Sequence, residues 1–197
     1  TNINKGESLF MENDEKMEKK EDLLDRLNRV LEWIRACDTK ASILLAVIGL
    51  IMTIFSSEYF FTKYKQIIKY NLNNFDFSKF LFFFILIIFL LLFIFGIICL
   101  VLELNPSLIS KRNANRDINS LYFFESIANK ELAQFKQEIL ETSIDDDLED
   151  ISIQIYINSK ICTRKYKLTK FGVLCSMTGT FGIITMFFIG WLILIAN

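Results

Sequence analysis

Apolar positions along this chain gather into three long blocks, and between the blocks they recur at helical spacing among charged residues. A helix that crosses a bilayer needs roughly 20 consecutive apolar residues. The first block, "ASILLAVIGLIMTIFSS", approaches that length only with the start of "EYFF", giving a first span over residues 41–58. The second, residues 80–102, carries no charge. The third, residues 171–196, carries none either and places Trp191 where an outer aromatic belt would lie. The first block lies behind a long charged stretch and no small-residue cleavage site follows it, so it reads as a span and not as a signal peptide.

The polar stretches have their own pattern. Residues 1–16 show no periodicity and read as a disordered tail. From Met17 on, Leu24, Leu27, Leu31 and Ile34 form one stripe, so residues 17–40 predict a helix that runs into the first span. Residues 59–79 read as a loop between spans. In the 103–170 segment, Pro106 should stop the second membrane helix near Asn105. Ile118, Leu121, Tyr122, Ala128, Leu132, Phe135 and Ile139 then predict one amphipathic helix to about Glu141. "SIDDDLED" predicts a new helix start, capped by Ser143 or Asp145, with acids facing the positive end of the helix dipole. A metal role for the three aspartates is the lesser reading. "ISIQIYIN" alternates like a strand, but a strand would have no partner here. Leu148, Ile151, Ile155, Cys162 and Tyr166 also satisfy a helical face leading into the third span, and helix is the reading taken. The expected fold is an all-α membrane protein: three transmembrane helices with a small helical bundle continuous with them.

Charge sets the orientation. Lys and Arg number eight in residues 1–40, four in 57–79 and ten in 103–170, and none follows Lys170. Two spans separate the first group from the third, so both lie on one side, and positive-inside bias makes that side the cytosol. The C-terminus then faces out.

Composition removes whole function classes. Histidine is absent, which eliminates Ser-His-Asp and Cys-His nucleophile arrangements and His-containing metal sites. The four cysteines form no CxxC pair and sit in or beside apolar segments, as small buried hydrophobes do. Seven glycines, scattered, leave no phosphate loop. No catalytic residues, metal site or cofactor are expected. A net charge of −1 does not suit a nucleic-acid binder.

Three groups of residues carry candidate chemistry. Lys160, Arg164 and Lys165, with Tyr166 beside them, sit just before the third span. Arg112 follows the second span, and Arg35 and Lys40 precede the first. These are either headgroup anchors or an anion-binding patch that, with Tyr122 and Phe123, holds a phosphate and stacks a base. Asp38 and Lys40 are two apart, nearly on opposite sides of a helix, so they do not neutralise each other. Asp38 therefore needs a partner elsewhere, with Arg112, Lys160 and Lys165 available, unless both charges are plain boundary anchors. Gly172, Ser176 and Gly179 form a small-residue seam for another helix, of this chain or of a second copy.

The stretch "WIRACDTKASILLAVIGLI" resembles the opening span of Pycsar-type transmembrane effectors, whose core here is Asp38-Thr39-Lys40-Ala41-Ser42. "ELNPSLI", "LYFFESIA" and "IYINSKICTRKYKLTKFG" resemble that family's later segments in order, so the likeness covers roughly residues 24–190. The broader relatives are SLATT-type effectors of nucleotide-sensing antiphage systems. The resemblance implies an inner-membrane effector working with a nucleotide cyclase; a homo-oligomer is expected separately, because three spans cannot line an aqueous path alone and the Gly172/Ser176/Gly179 seam offers a contact. A cyclic nucleotide ligand, cyclic CMP or cyclic UMP first, would bind the cytosolic helices, and the lipid bilayer would then be disrupted in abortive infection. The alternative is a non-enzymatic membrane adaptor or channel subunit whose cytosolic helices bind a protein.

Overall fold

A computed structural model describes residues 3–73, 76–105 and 120–196. Among them every regular element is an α-helix: α1 (Ile3–Phe55), α2 (Glu58–Asn73), α3 (Phe77–Leu104), α4 (Phe124–Ala128), α5 (Leu132–Glu141) and α6 (Ile144–Ala196). Three helices, α1, α3 and α6, are long and apolar enough to cross a membrane. The chain divides into two compact units, a polar unit of Thr1–Arg35 with Ser107–Arg164 and a span unit of Ala36–Pro106 with Lys165–Asn197.

In the span unit, α3 buries a stripe of Phe93, Gly96, Cys99, Leu100 and Glu103, spaced at three and four residues. Ala41, Ile48, Phe93 and Leu100 form its core, with Leu44, Leu45, Ile97 and Ile183 packed around them. The small residues decide how close α3 and α6 come. A Cβ placed on Gly96 would lie 2.3 Å from the Ser176 backbone nitrogen, and one on Gly179 would lie 2.5 Å from that of Phe93. Gly172 faces Leu100 and Gly182 faces the Phe89 ring. These contacts descend α3 as they ascend α6, so the two helices are antiparallel and nearly touch along their backbones. The Gly172/Ser176/Gly179 seam is thus filled by α3 of the same chain, the intramolecular alternative. α1 runs parallel to α6: Asp38 meets Lys165 near one end, and the Phe55 and Phe187 rings lie 6.4 Å apart near the other. α3 stops at Leu104, and Asn105 is extended (φ −67°, ψ 126°), as a residue before proline must be.

In the polar unit, α6 begins as expected. Ser143 Oγ accepts from the Asp146 N–H at 3.2 Å, while the Asp146 carboxylate accepts from the Ser143 N–H and hydroxyl at 3.3 and 2.6 Å. This reciprocal cap satisfies two helix-end donors at once. "ISIQIYIN" is helical within α6, with Ile151 and Gln154 buried.

Three readings differ. The stretch read as a disordered tail is helical from Ile3 as part of α1, because no proline separates it from the periodic stretch and an established helix propagates. The 59–79 loop holds a helix of its own, α2. The single helix expected to end at Glu141 is broken in two. It also starts late, at Phe124, because side chains take the backbone donors ahead of it: Asp150 accepts from the Leu121 N–H at 2.8 Å and Ser120 Oγ from the Tyr122 N–H at 3.0 Å. Glu131 is then extended between α4 and α5, and Lys130 pairs with the Glu138 carboxylate across the turn.

Adding one methyl group discriminates this packing. Gly96→Ala should destabilise the detergent-solubilised protein by about 1–3 kcal/mol, since it forces α3 from α6. Gly49→Ala, with nothing within 4 Å of the new carbon, should leave the thermal midpoint unchanged or higher.

Candidate functional site

The strongest chemical feature of the span unit is a charge cluster shared by all three of its long helices. α1 supplies Asp38, α3 supplies Glu103 and α6 supplies Lys165. The Lys165 ammonium donates to Asp38 Oδ1 and to the Glu103 main-chain oxygen at 2.9 Å, and stands 3.5 Å from Glu103 Oε1. The Lys165 side chain is 8% exposed, that of Glu103 0% and that of Asp38 40%. Charged groups are rarely buried without a partner, because an isolated charge in an apolar setting costs several kcal/mol. Here two carboxylates share one cation, and neither Glu103 carboxylate oxygen has a hydrogen-bond partner. Asp38 is therefore paired with Lys165, one of the three partners open to it from the sequence. Glu103 was missed. Its signal was an acid closing the second apolar block at the depth of Asp38, with no nearby base to match it.

The polar unit holds a cleft of about 290 Å³ lined by Leu121, Thr142 and five carboxylates, those of Glu138, Glu141, Asp146, Asp147 and Asp150. Each carboxylate already serves the fold. Asp146 caps α6, and Asp150 holds the Leu121 backbone. Glu138 pairs with Lys130, and Glu141 accepts from Gln137 at 2.8 Å. Asp147 accepts from Lys20 at 2.6 Å and from the Tyr122 hydroxyl at 3.4 Å. Burial, and then the charge of Asp147, push the Tyr122 hydroxyl above its ordinary pKa, so it remains a donor. Asp145, exposed, pairs with Lys16 at 3.0 Å. The three aspartates thus turn to different partners, and among the described residues no acidic or cysteine cluster could hold a metal ion.

The residues named as ligand contacts divide between the units. Arg35, Tyr122, Phe123, Lys160 and Arg164 belong to the polar unit, and Lys40, Lys165 and Tyr166 to the span unit. Arg112 lies outside the described residues. Arg35, Lys40, Arg164 and Tyr166 are exposed. Lys160, also exposed, sits over the Tyr156 ring at 4.2 Å. Phe123 packs its ring on Phe124 at 4.9 Å. Lys165 is committed to Asp38 and Glu103, so its ammonium reaches an anion only by giving up that pairing.

Comparison with known proteins bears on this arrangement. A family model described as the Pycsar effector protein domain matches residues 22–195. "Pycsar effector protein GmPycTM" from Gulbenkiania mobilis is 31% identical over 164 residues, 78% of this chain and 84% of the relative. No solved structure matches the chain.

The cluster has one carboxylate more than it has cations, and this fixes the sign of two substitutions. Lys165→Met leaves both acids without a counter-charge and should cost about 3–5 kcal/mol. Glu103→Gln leaves a balanced Asp38–Lys165 pair and should be neutral or stabilising. Thermal unfolding in detergent, followed by size-exclusion retention, measures both.

Proposed function

From the premise that the chain belongs to the Pycsar effector protein family, we propose that this antiphage defence membrane protein binds a cyclic nucleotide and then breaches the membrane. Cyclic CMP and cyclic UMP are the first ligands to test. The polar unit is the receptor and the span unit the effector. The observation that carries the reading is the family match across nearly the whole chain. Lys160 and Arg164, exposed on α6, offer charge to a cyclic phosphate, whereas the Tyr122 hydroxyl, bonded to Asp147, lies 13 residues or about 20 Å back along that helix from Lys160 and does not share a site with them. The ligand comes from a partner cyclase, and several copies act together, since three helices packed this closely enclose no aqueous path.

The Asp38–Lys165–Glu103 cluster is the element we assign to gating. It ties α1, α3 and α6 at one level, so any rearrangement of the spans has to loosen it. Ligand binding in this scheme favours the loosened state, which requires a differential affinity for the two states. The N-terminus and residues 103–170 lie in the cytosol, and α2 and the C-terminus lie outside.

Two measurements test the scheme. In bacteria expressing the chain, supplying cyclic CMP or cyclic UMP should depolarise the membrane, whereas the chain alone should not. Asp38→Asn weakens the resting tie and should lower the nucleotide concentration for half-maximal depolarisation about tenfold, the shift that about 1.4 kcal/mol gives. Depolarisation indifferent to every nucleotide, with no detectable binding, sinks the ligand reading. An unchanged Asp38→Asn response makes the pair a boundary anchor only.

The orientation has its own check. In intact cells, Gln66→Cys should react with an impermeant thiol reagent above the background of the native cysteines, and Asn129→Cys should not. The reverse pattern turns the topology over.

A further inference from the structure

α2 has two apolar faces, and only one of them is used inside the protein. On the inner face, Ile67 is 3% exposed and would meet a Cβ on Gly190 at 2.6 Å. The Phe60 and Tyr64 rings lie 5.4 and 5.6 Å from that of Phe187. Asn71, 1% exposed, satisfies its amide on the Ile67 carbonyl at 2.9 Å. These contacts fix the depth of α2. α2 therefore packs on the third span at the end of the bundle where α1 stops at Phe55 and α3 starts at Phe77.

The second apolar face turns away from the protein at that depth. Phe61, Ile68 and Leu72, at positions i, i+7 and i+11, are 57, 36 and 57% exposed. Lys65 and Lys69 follow the same strip around the helix, and the Lys65 ammonium stands 4.5 Å from the Phe61 ring centroid. Thr62 and Gln66 are exposed on the far side of the lysines. α2 carries three lysines and a single acid, Glu58. An apolar strip edged by cations is the build of a helix that lies in the headgroup layer, its apolar side among acyl chains and its lysines snorkelling to phosphate. The lysines that run against the positive-inside pattern thus acquire a place.

We propose that α2 is an interfacial membrane helix: Phe61, Ile68 and Leu72 contact acyl chains, and Lys65 and Lys69 bind the phosphates of anionic phospholipid in the leaflet where α1 and α3 end and begin. This rests on the membrane placement of the span unit, not on the ligand or the orientation.

The full chain is reconstituted without nucleotide in phosphatidylcholine vesicles, with and without phosphatidylglycerol. Tryptophan is introduced singly at Phe61, Ile68, Leu72, Thr62 or Gln66, and the increment over the native Trp33 and Trp191 fluorescence is read. Phe61→Trp, Ile68→Trp and Leu72→Trp should be quenched by acyl-chain-brominated lipid and shielded from aqueous iodide. Thr62→Trp and Gln66→Trp should show the reverse. Phosphatidylglycerol should increase the lipid quenching in the native-lysine background and have no effect after Lys65→Gln with Lys69→Gln. Iodide quenching at every position places α2 in water and overturns the proposal. Shielding from both quenchers means that protein covers the strip, and also overturns it. Lipid quenching indifferent to phosphatidylglycerol overturns the headgroup assignment. For a variant that fails to fold, photoreactive acyl-chain lipid on the unaltered chain gives the same answer: adducts on the Phe61–Leu72 segment support the proposal, and their absence there overturns it.

Discussion

One ammonium group holds the span unit in register. Lys165 reaches along α6 with four methylenes and bonds α1 through Asp38 and α3 through the Glu103 main-chain oxygen, with the Glu103 carboxylate 3.5 Å away as an ion pair. Burying the group anywhere else would leave an unpaid desolvation cost, so α1 and α3 are constrained to present their acids where this cation can meet them. The interaction contributes specificity more than strength. A balanced apolar triad of the same volume could pack as tightly, but it would not fix which residue of each helix stands at that level.

Close approach does what the charge cannot. Lipid chains are as apolar as leucine, so helices inside a bilayer gain little from mutual burial and associate through packing contacts. Gly96 against Ser176 and Gly179 against Phe93 bring two backbones together at points where any side chain would intervene. The run of contacts from Gly172 to Gly190 then zips α3 against α6 over most of its length. The charge cluster sets the register and the glycines set the distance.

Most of the helical layout was legible because apolar run length and helical periodicity are local properties. The three spans and the cap at Ser143 follow from local spacing, whereas "ISIQIYIN" alternates locally like a strand and reads as helix only because a strand would have no partner and a helical face continues to Tyr166. Failures came where a distant residue intervened. The late start of α4 depends on Asp150 and Ser120 accepting hydrogen bonds from backbone N–H groups, and nothing around Leu121 announces it. α2 was hidden because its polar residues fit a loop as well as an amphipathic helix, and its inner face acquires meaning only against Phe187 and Gly190. At the candidate site, the partner of Asp38 was foreseeable from charge and depth. Glu103 was not, since an acid at the end of a span looks like an ordinary boundary. The small-residue seam was visible, but a sequence does not say whose helix fills it.

The spacing of the cluster along the chain has a consequence for biosynthesis. Glu103 and the cation that matches it are 62 residues apart, and Asp38 waits for the same cation over 127. At a ribosomal rate of about 5–20 residues per second, Glu103 is made roughly 3–12 s before Lys165 exists. During that interval Glu103 has no counter-charge, and the glycine face of α6 has not been made. A nascent chain therefore carries, for a time set by the rate of translation, an acid that only α6 can pair.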